Sequence, residues 1–140
     1  VRELPAMGHR VGAHNYAHRS LGELRSAEDL EYEIGRSLDE VAELTGSRCD
    51  DFAVGFGHWS HLSSGAVAYL QQRCPRVYLA CRGLNIAELT PRFLCRTQLA
   101  PNFPWSFTQA SLAGALDHRE RREVEQALSA VGHLPTGVDS

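Results

Sequence analysis

The chain has 140 residues, 43% of them apolar and 22% charged, with a formal net charge of −3. That length suits one domain with a sizeable buried core, and the composition is that of a globular protein. A mildly acidic chain excludes a general nucleic-acid surface, and no apolar stretch approaches the ~20 residues needed to span a bilayer.

In chain order, residues 11–13 read as a short strand leading into His14-Asn15-Tyr16-Ala17-His18. Two imidazoles four residues apart can close on one metal ion, and imidazole nitrogen suits Zn, Fe, Ni or Cu. A third ligand is needed, and a carboxylate would offset the ion's charge. A Glu at position 15 would give the zinc-protease helix His-Glu-x-x-His, and Asn15 excludes it. Gly8 and Gly12 also argue against a long helix through the pair.

Ser26 is a predicted N-cap, with Asp29 three residues on in a capping-box pattern. Leu30, Ile34, Leu38, Val41 and Leu44 then form an apolar helical stripe, expected to pack on strands at 11–13 and 52–56. Gly46 suits a left-handed stop. Gly57 opens a loop after the second strand, and His58-Trp59-Ser60-His61 follows. Both His pairs come after predicted strands, so they are expected on one rim. A functional reading makes Trp59 a sugar-stacking platform and lets His58 or His61 touch substrate or donate a proton. The plain alternative is a polar loop around a half-buried Trp. A four-His metal site from His14, His18, His58 and His61 is a further arrangement.

Ser63 is expected to cap a helix with Ala66, Val67 and Leu70 inward. Residues 77–81 are a near-continuous apolar run, the mark of a strand covered on both faces. Residues 93–99 form a weaker strand, with Arg92 and Arg96 either solvated or binding an anionic group. Residues 105–116 and 120–131 read as helices, and 135–140 as a flexible tail. Cys49, Cys74, Cys81 and Cys95 contain no Cys-x-x-Cys, which speaks against a thiolate zinc site. Buried thiols in a reducing, cytoplasmic compartment are expected, with a disulfide as the alternative for an exported protein. Strand-helix alternation implies an α/β fold with a parallel sheet and outer helices. A closed eight-fold barrel needs ~200 residues or more.

Gly8-His9-Arg10-Val11-Gly12-Ala13-His14-Asn15-Tyr16-Ala17-His18-Arg19-Ser20-Leu21 resembles the second motif of the NodB-like polysaccharide deacetylases, carbohydrate esterase family 4. That motif reads Gly-His-Glu-hydrophobic-Gly-x-His-(Ser/Thr)-x-x-His-x-x-Leu. Residues 26–46, closed by Leu44-Thr45-Gly46, are similar to the family's next helix. Phe52-Ala53-Val54-Gly55-Phe56-Gly57 resembles a strand that often reads Phe-Ala-Tyr-Pro-Phe-Gly, and residues 106–116 are similar to the closing helix. The resemblance spans roughly residues 4–118.

It implies a partial (β/α) barrel over residues 1–134. It implies a hydrolase that removes N- or O-acetyl groups from a polysaccharide or amino sugar, with His14 and His18 as ligands to a divalent metal, Zn foremost and Co or Ni as alternatives. The family's first motif carries two adjacent Asp, one the base and one a metal ligand, and residues 1–13 hold no Asp. The base is therefore expected upstream of Val1. The chain is read as the C-terminal part of a longer deacetylase, inactive by itself. Asp50-Asp51 falls at a strand entry and is not taken as the missing motif.

Other departures are Asn15 for Ser or Thr, and Val54-Gly55 where Pro is common. The late Leu-x-x-His motif has only Leu116-Asp117-His118 as a poor stand-in. The alternatives are a catalytically silent carbohydrate-binding or interaction module of the same fold, and an unrelated α/β module whose His pair is structural.

Overall fold

The computed structural model describes residues 1–83, 85 and 92–115. The predicted helix at 120–131, the end of the 105–116 helix and the tail at 135–140 lie outside these residues.

A four-residue helix α1 (Glu3–Ala6), not foreseen from sequence, precedes the His run. Ser26 Oγ then accepts the Asp29 N–H at 3.0 Å and donates to the Asp29 carboxylate at 2.8 Å, which caps the next helix as expected. That helix is continuous but not uniform: α2 (Ala27–Leu30), a π turn (Glu31–Gly35) and α3 (Arg36–Thr45). Gly46 ends it at φ 72°, the left-handed stop. Leu30, Ile34 and Leu38 are buried in the core and Val41 packs against it. Leu44 does not join them; it is 55% exposed. It lies six residues past Leu38, which at 3.6 residues per turn is ~120° round the helix from the core face.

The sheet is parallel, in the order β1 (Asp51–Ala53), β2 (Arg76–Leu79), β3 (Phe93–Cys95). Phe52 lies beside Val77, and Val77 beside Phe93. Of residues 11–13, Ala13 alone makes a bridge, parallel to Phe52. The strands are shorter than the apolar runs suggested, and among the described residues the sheet does not close into a barrel. Two connections cross its covered face. One is the long helix between Ala13 and β1. The other, between β1 and β2, is the 3-10 turn Trp59–His61 followed by α4 (Ser64–Arg73). Ser63 caps α4 through the Ala66 N–H at 3.2 Å, and Ala66, Val67 and Leu70 point into the core as predicted. A further helix, α5 (Trp105–Leu112), follows β3.

Among the described residues the two faces of β2 differ, where the apolar run suggested equal cover. Val77 and Leu79 are buried while Arg76 and Tyr78 are half-buried. Asp51 is matched to Arg76 across the sheet and accepts from Arg10, Arg76 and the Tyr78 hydroxyl, at distances from 2.7 to 3.3 Å. This ion-pair cluster occupies Asp51 at the N-terminal ends of the strands. No helix among the described residues is long and apolar enough to cross a membrane.

All four cysteines are buried thiols. Burial pushes the Cys74 thiol up to about 11 and raises that of Cys49. A thiol whose folded pKa is raised supports the fold fully below its unfolded pKa and loses that support as pH climbs to the folded value. Stability should therefore fall between pH 9 and about 11, the ordinary and folded values for Cys74. Denaturant midpoints measured across that range check this, and Cys74→Ala should flatten the slope.

Candidate functional site

Parallel α/β sheets gather function at the C-terminal ends of their strands. Here that rim carries both His pairs. His14 directly follows the Ala13 bridge, and Phe56 to His61 follow β1.

The His14–His18 segment is a turn, not a helix. Asn15 has φ 46° and His18 φ 57°, both left-handed. Asn tolerates that region better than most residues, because its short amide bonds locally. Asn15 is buried. Its Nδ2 donates to the Arg19 carbonyl at 2.7 Å and its Oδ1 accepts the Gly55 N–H at 3.1 Å. One side chain thus closes the His turn and ties it to the exit of β1. Two positions at which the chain departs from the motifs it resembles meet in that bond. Asn15 needs a main-chain donor at position 55, and proline has none.

His14 Nδ1 lies 2.8 Å from the Ala53 carbonyl. A carbonyl only accepts, so Nδ1 carries the proton and Nε2 keeps its lone pair. This is the arrangement by which a metal-ligating His is oriented. Both His14 and His18 are exposed, with ring centres 5.0 Å apart and planes at 73°. A Zn–N bond of ~2.0–2.1 Å and a tetrahedral angle put the centres of two ligating imidazoles roughly 5 Å apart. The ring spacing is compatible with two ligands to one divalent ion, and the hydrogen bond to Ala53 leaves His14 Nε2 as the ligating nitrogen. Among the described residues, no group of three His, Cys, Asp or Glu side chains is placed to hold one ion.

The second pair continues the row but does not join the first. The Phe56 ring stands between, 4.9 Å from His18 and 5.6 Å from His61. His58 follows at 6.0 Å from His61, with its Nδ1 on the Ser60 hydroxyl. A four-His site is therefore not formed.

Trp59 is not a rim platform. It is 7% exposed and packs on Phe93 in the core, because the 3-10 turn tucks its indole inward. Phe56, at φ 61° and 57% exposed, is the open ring instead. The left-handed conformation at Phe56 turns the chain out of the strand, which sequence alternation does not reveal. His61 Nδ1 and Trp59 Nε1 are buried and make no hydrogen bond among the described residues. Arg92 and Arg96 are exposed. Arg92 donates to the Gln71 carbonyl and Arg96 to that of Leu79, at 3.0 Å.

The chain matches no protein-family model, no curated protein and no solved structure.

Sequence reasoning also missed Glu33. It sits in the π turn with 0% exposure, directly behind the His turn. A Glu in a helix reads as solvent-facing by its type, although position 33, three residues past Leu30, lies on the flank of the buried face.

Proposed function

We propose that this chain carries the His ligands of a metal-dependent hydrolase that removes acetyl groups from an acetylated glycan or amino sugar. The observation that carries the reading is the His14–His18 pair. Its rings stand 5.0 Å apart, and one is fixed by the Ala53 carbonyl with Nε2 left for a ligand. The motif around the pair supports the same reading.

A divalent ion, when bound, polarises an acetyl carbonyl and lowers the pKa of its water. The chain's own contribution is to hold that ion at the strand rim and present a substrate wall. Phe56 offers an exposed ring against the apolar face of a pyranose, the role sequence reasoning gave to Trp59. His61, one ring beyond Phe56, is the residue that gives its proton to the departing amine nitrogen in this reading. In the family that this run resembles the base is an Asp, and no residue described here is assigned to that role.

Acetate release from N-acetylated chito-oligosaccharides tests the proposal, using the natural full-length protein with added Zn²⁺ or Co²⁺. Metal-dependent release, stopped by a chelator and restored by Zn²⁺, is the expected result. Saccharide binding with no release under any metal would favour the silent carbohydrate-binding module. Neither binding nor Zn²⁺ uptake would make the His pair structural.

A further inference from the structure

Glu33 is a fully buried carboxylate that is half satisfied. Its Oε2 accepts the Ala17 N–H at 3.1 Å, and its Oε1 is buried with no hydrogen-bond partner among the described residues. Its main-chain carbonyl accepts the preceding amide, Tyr16 N–H, at 2.9 Å. One residue therefore takes two successive amides at the crest of the turn between His14 and His18. Burying a carboxylate this way is costly. An apolar side chain of similar volume would fill the site without burying an unmet acceptor.

Glu33 lies in the π turn, three residues past Leu30 and four before Ser37, on the flank of the buried helix face, where the π turn loosens the local hydrogen-bond ladder. A Cβ at Gly35 would crowd the Glu31 carboxyl group and the Tyr69 hydroxyl, both movable ends of side chains. Asn15 braces the turn from the β1 side and Glu33 from the helix side.

We infer that Glu33 is a positioning residue for the His pair: its two acceptors hold Tyr16 and Ala17 so that His14 and His18 face one point. This rests on the metal-ligand reading above, and it assigns to the buried helix side a role in ion affinity. Groups that orient a ligand from behind typically change metal affinity 10–100-fold when removed.

The test pairs amide hydrogen exchange with Zn²⁺ affinity, the latter by competition with a chromogenic chelator. In the unsubstituted chain the Ala17 amide should exchange slowly although the residue is exposed. Glu33→Ala should release that protection and weaken Zn²⁺ binding ~10–100-fold. Glu33→Gln keeps a carbonyl acceptor and should stay within ~3-fold of the parent, well inside the effect of losing the group.

Ile34→Val, which loosens the same helix in the core, should leave the affinity unchanged. This separates positioning from general loss of packing. If Glu33→Ala does not fold, Glu33→Met fills the volume without an acceptor and takes its place. Fast Ala17 exchange in the unsubstituted chain overturns the inference. So does equal loss of affinity in Glu33→Ala, Glu33→Gln and Ile34→Val. Absence of Zn²⁺ uptake by a parent chain whose Ala17 amide is protected counts against the metal reading instead.

Discussion

Replacing either His14 or His18 with alanine is expected to weaken Zn²⁺ binding by well over ~100-fold while leaving the fold intact. Loss of a group that merely orients a ligand costs 10–100-fold, so loss of a ligand itself must exceed that. The site tolerates no substitute, since no third His, Cys, Asp or Glu among the described residues stands with the pair. Both side chains are exposed, so the core does not feel the change, and stability should move by no more than ~1.5 kcal/mol, the most that loss of the His14–Ala53 hydrogen bond would cost. His9→Ala is the control. His9 lies beside Arg10, Asp50 and Asp51 at the other end of the sheet, and its loss should change nothing. Equilibrium dialysis of the three variants decides the matter. Unchanged zinc content in either rim variant, or equal loss in all three, would sink the ligand assignment.

The parts of this site that were legible in the sequence are those written as side-chain spacing. The stripe Leu30, Ile34, Leu38 announced which helix face is buried in the core, and Ser26, Ser63 and Gly46 announced where two helices start and one stops. The shared rim followed from two strand endings. What was not legible is backbone conformation. Position 33 lies three residues past Leu30, on the flank of the buried stripe, but a Glu reads as solvent-facing by its type, so the spacing alone did not single it out. A left-handed φ at Phe56 exchanges the roles of Phe56 and Trp59, sending the first into solvent and the second onto Phe93. Pairing of Asn15 with Gly55 was invisible for the same reason, although each had stood out singly as a departure.

Gly57→Ala is expected to destabilise the chain by at least ~3 kcal/mol, whereas Gly46→Ala should cost only ~1 kcal/mol, although the two glycines share nearly the same backbone conformation. Gly57 has φ 65° and Gly46 φ 72°. Forcing an L side chain into that region costs ~1–2 kcal/mol at either position. The difference lies in what the new methyl group meets. At Gly46 there is nothing within 4 Å, because the helix end faces solvent. At Gly57 the methyl would lie 2.5 Å from both the Ala80 nitrogen and the Ala80 Cβ, and 3.1 Å from the Ala80 Cα. Backbone cannot swing aside as a long side chain can. The Gly57 carbonyl also accepts the Ala80 N–H at 2.9 Å, so relieving the clash breaks the bond that joins the exits of β1 and β2. Those exits carry Phe56, His58 and His61, and the rim loosens with them. For a domain whose total stability is ~5–15 kcal/mol, a loss of this size shows clearly in a denaturant midpoint. Equal midpoint shifts for the two alanine variants would mean that φ alone sets the cost and that the approach of Ala80 does not matter.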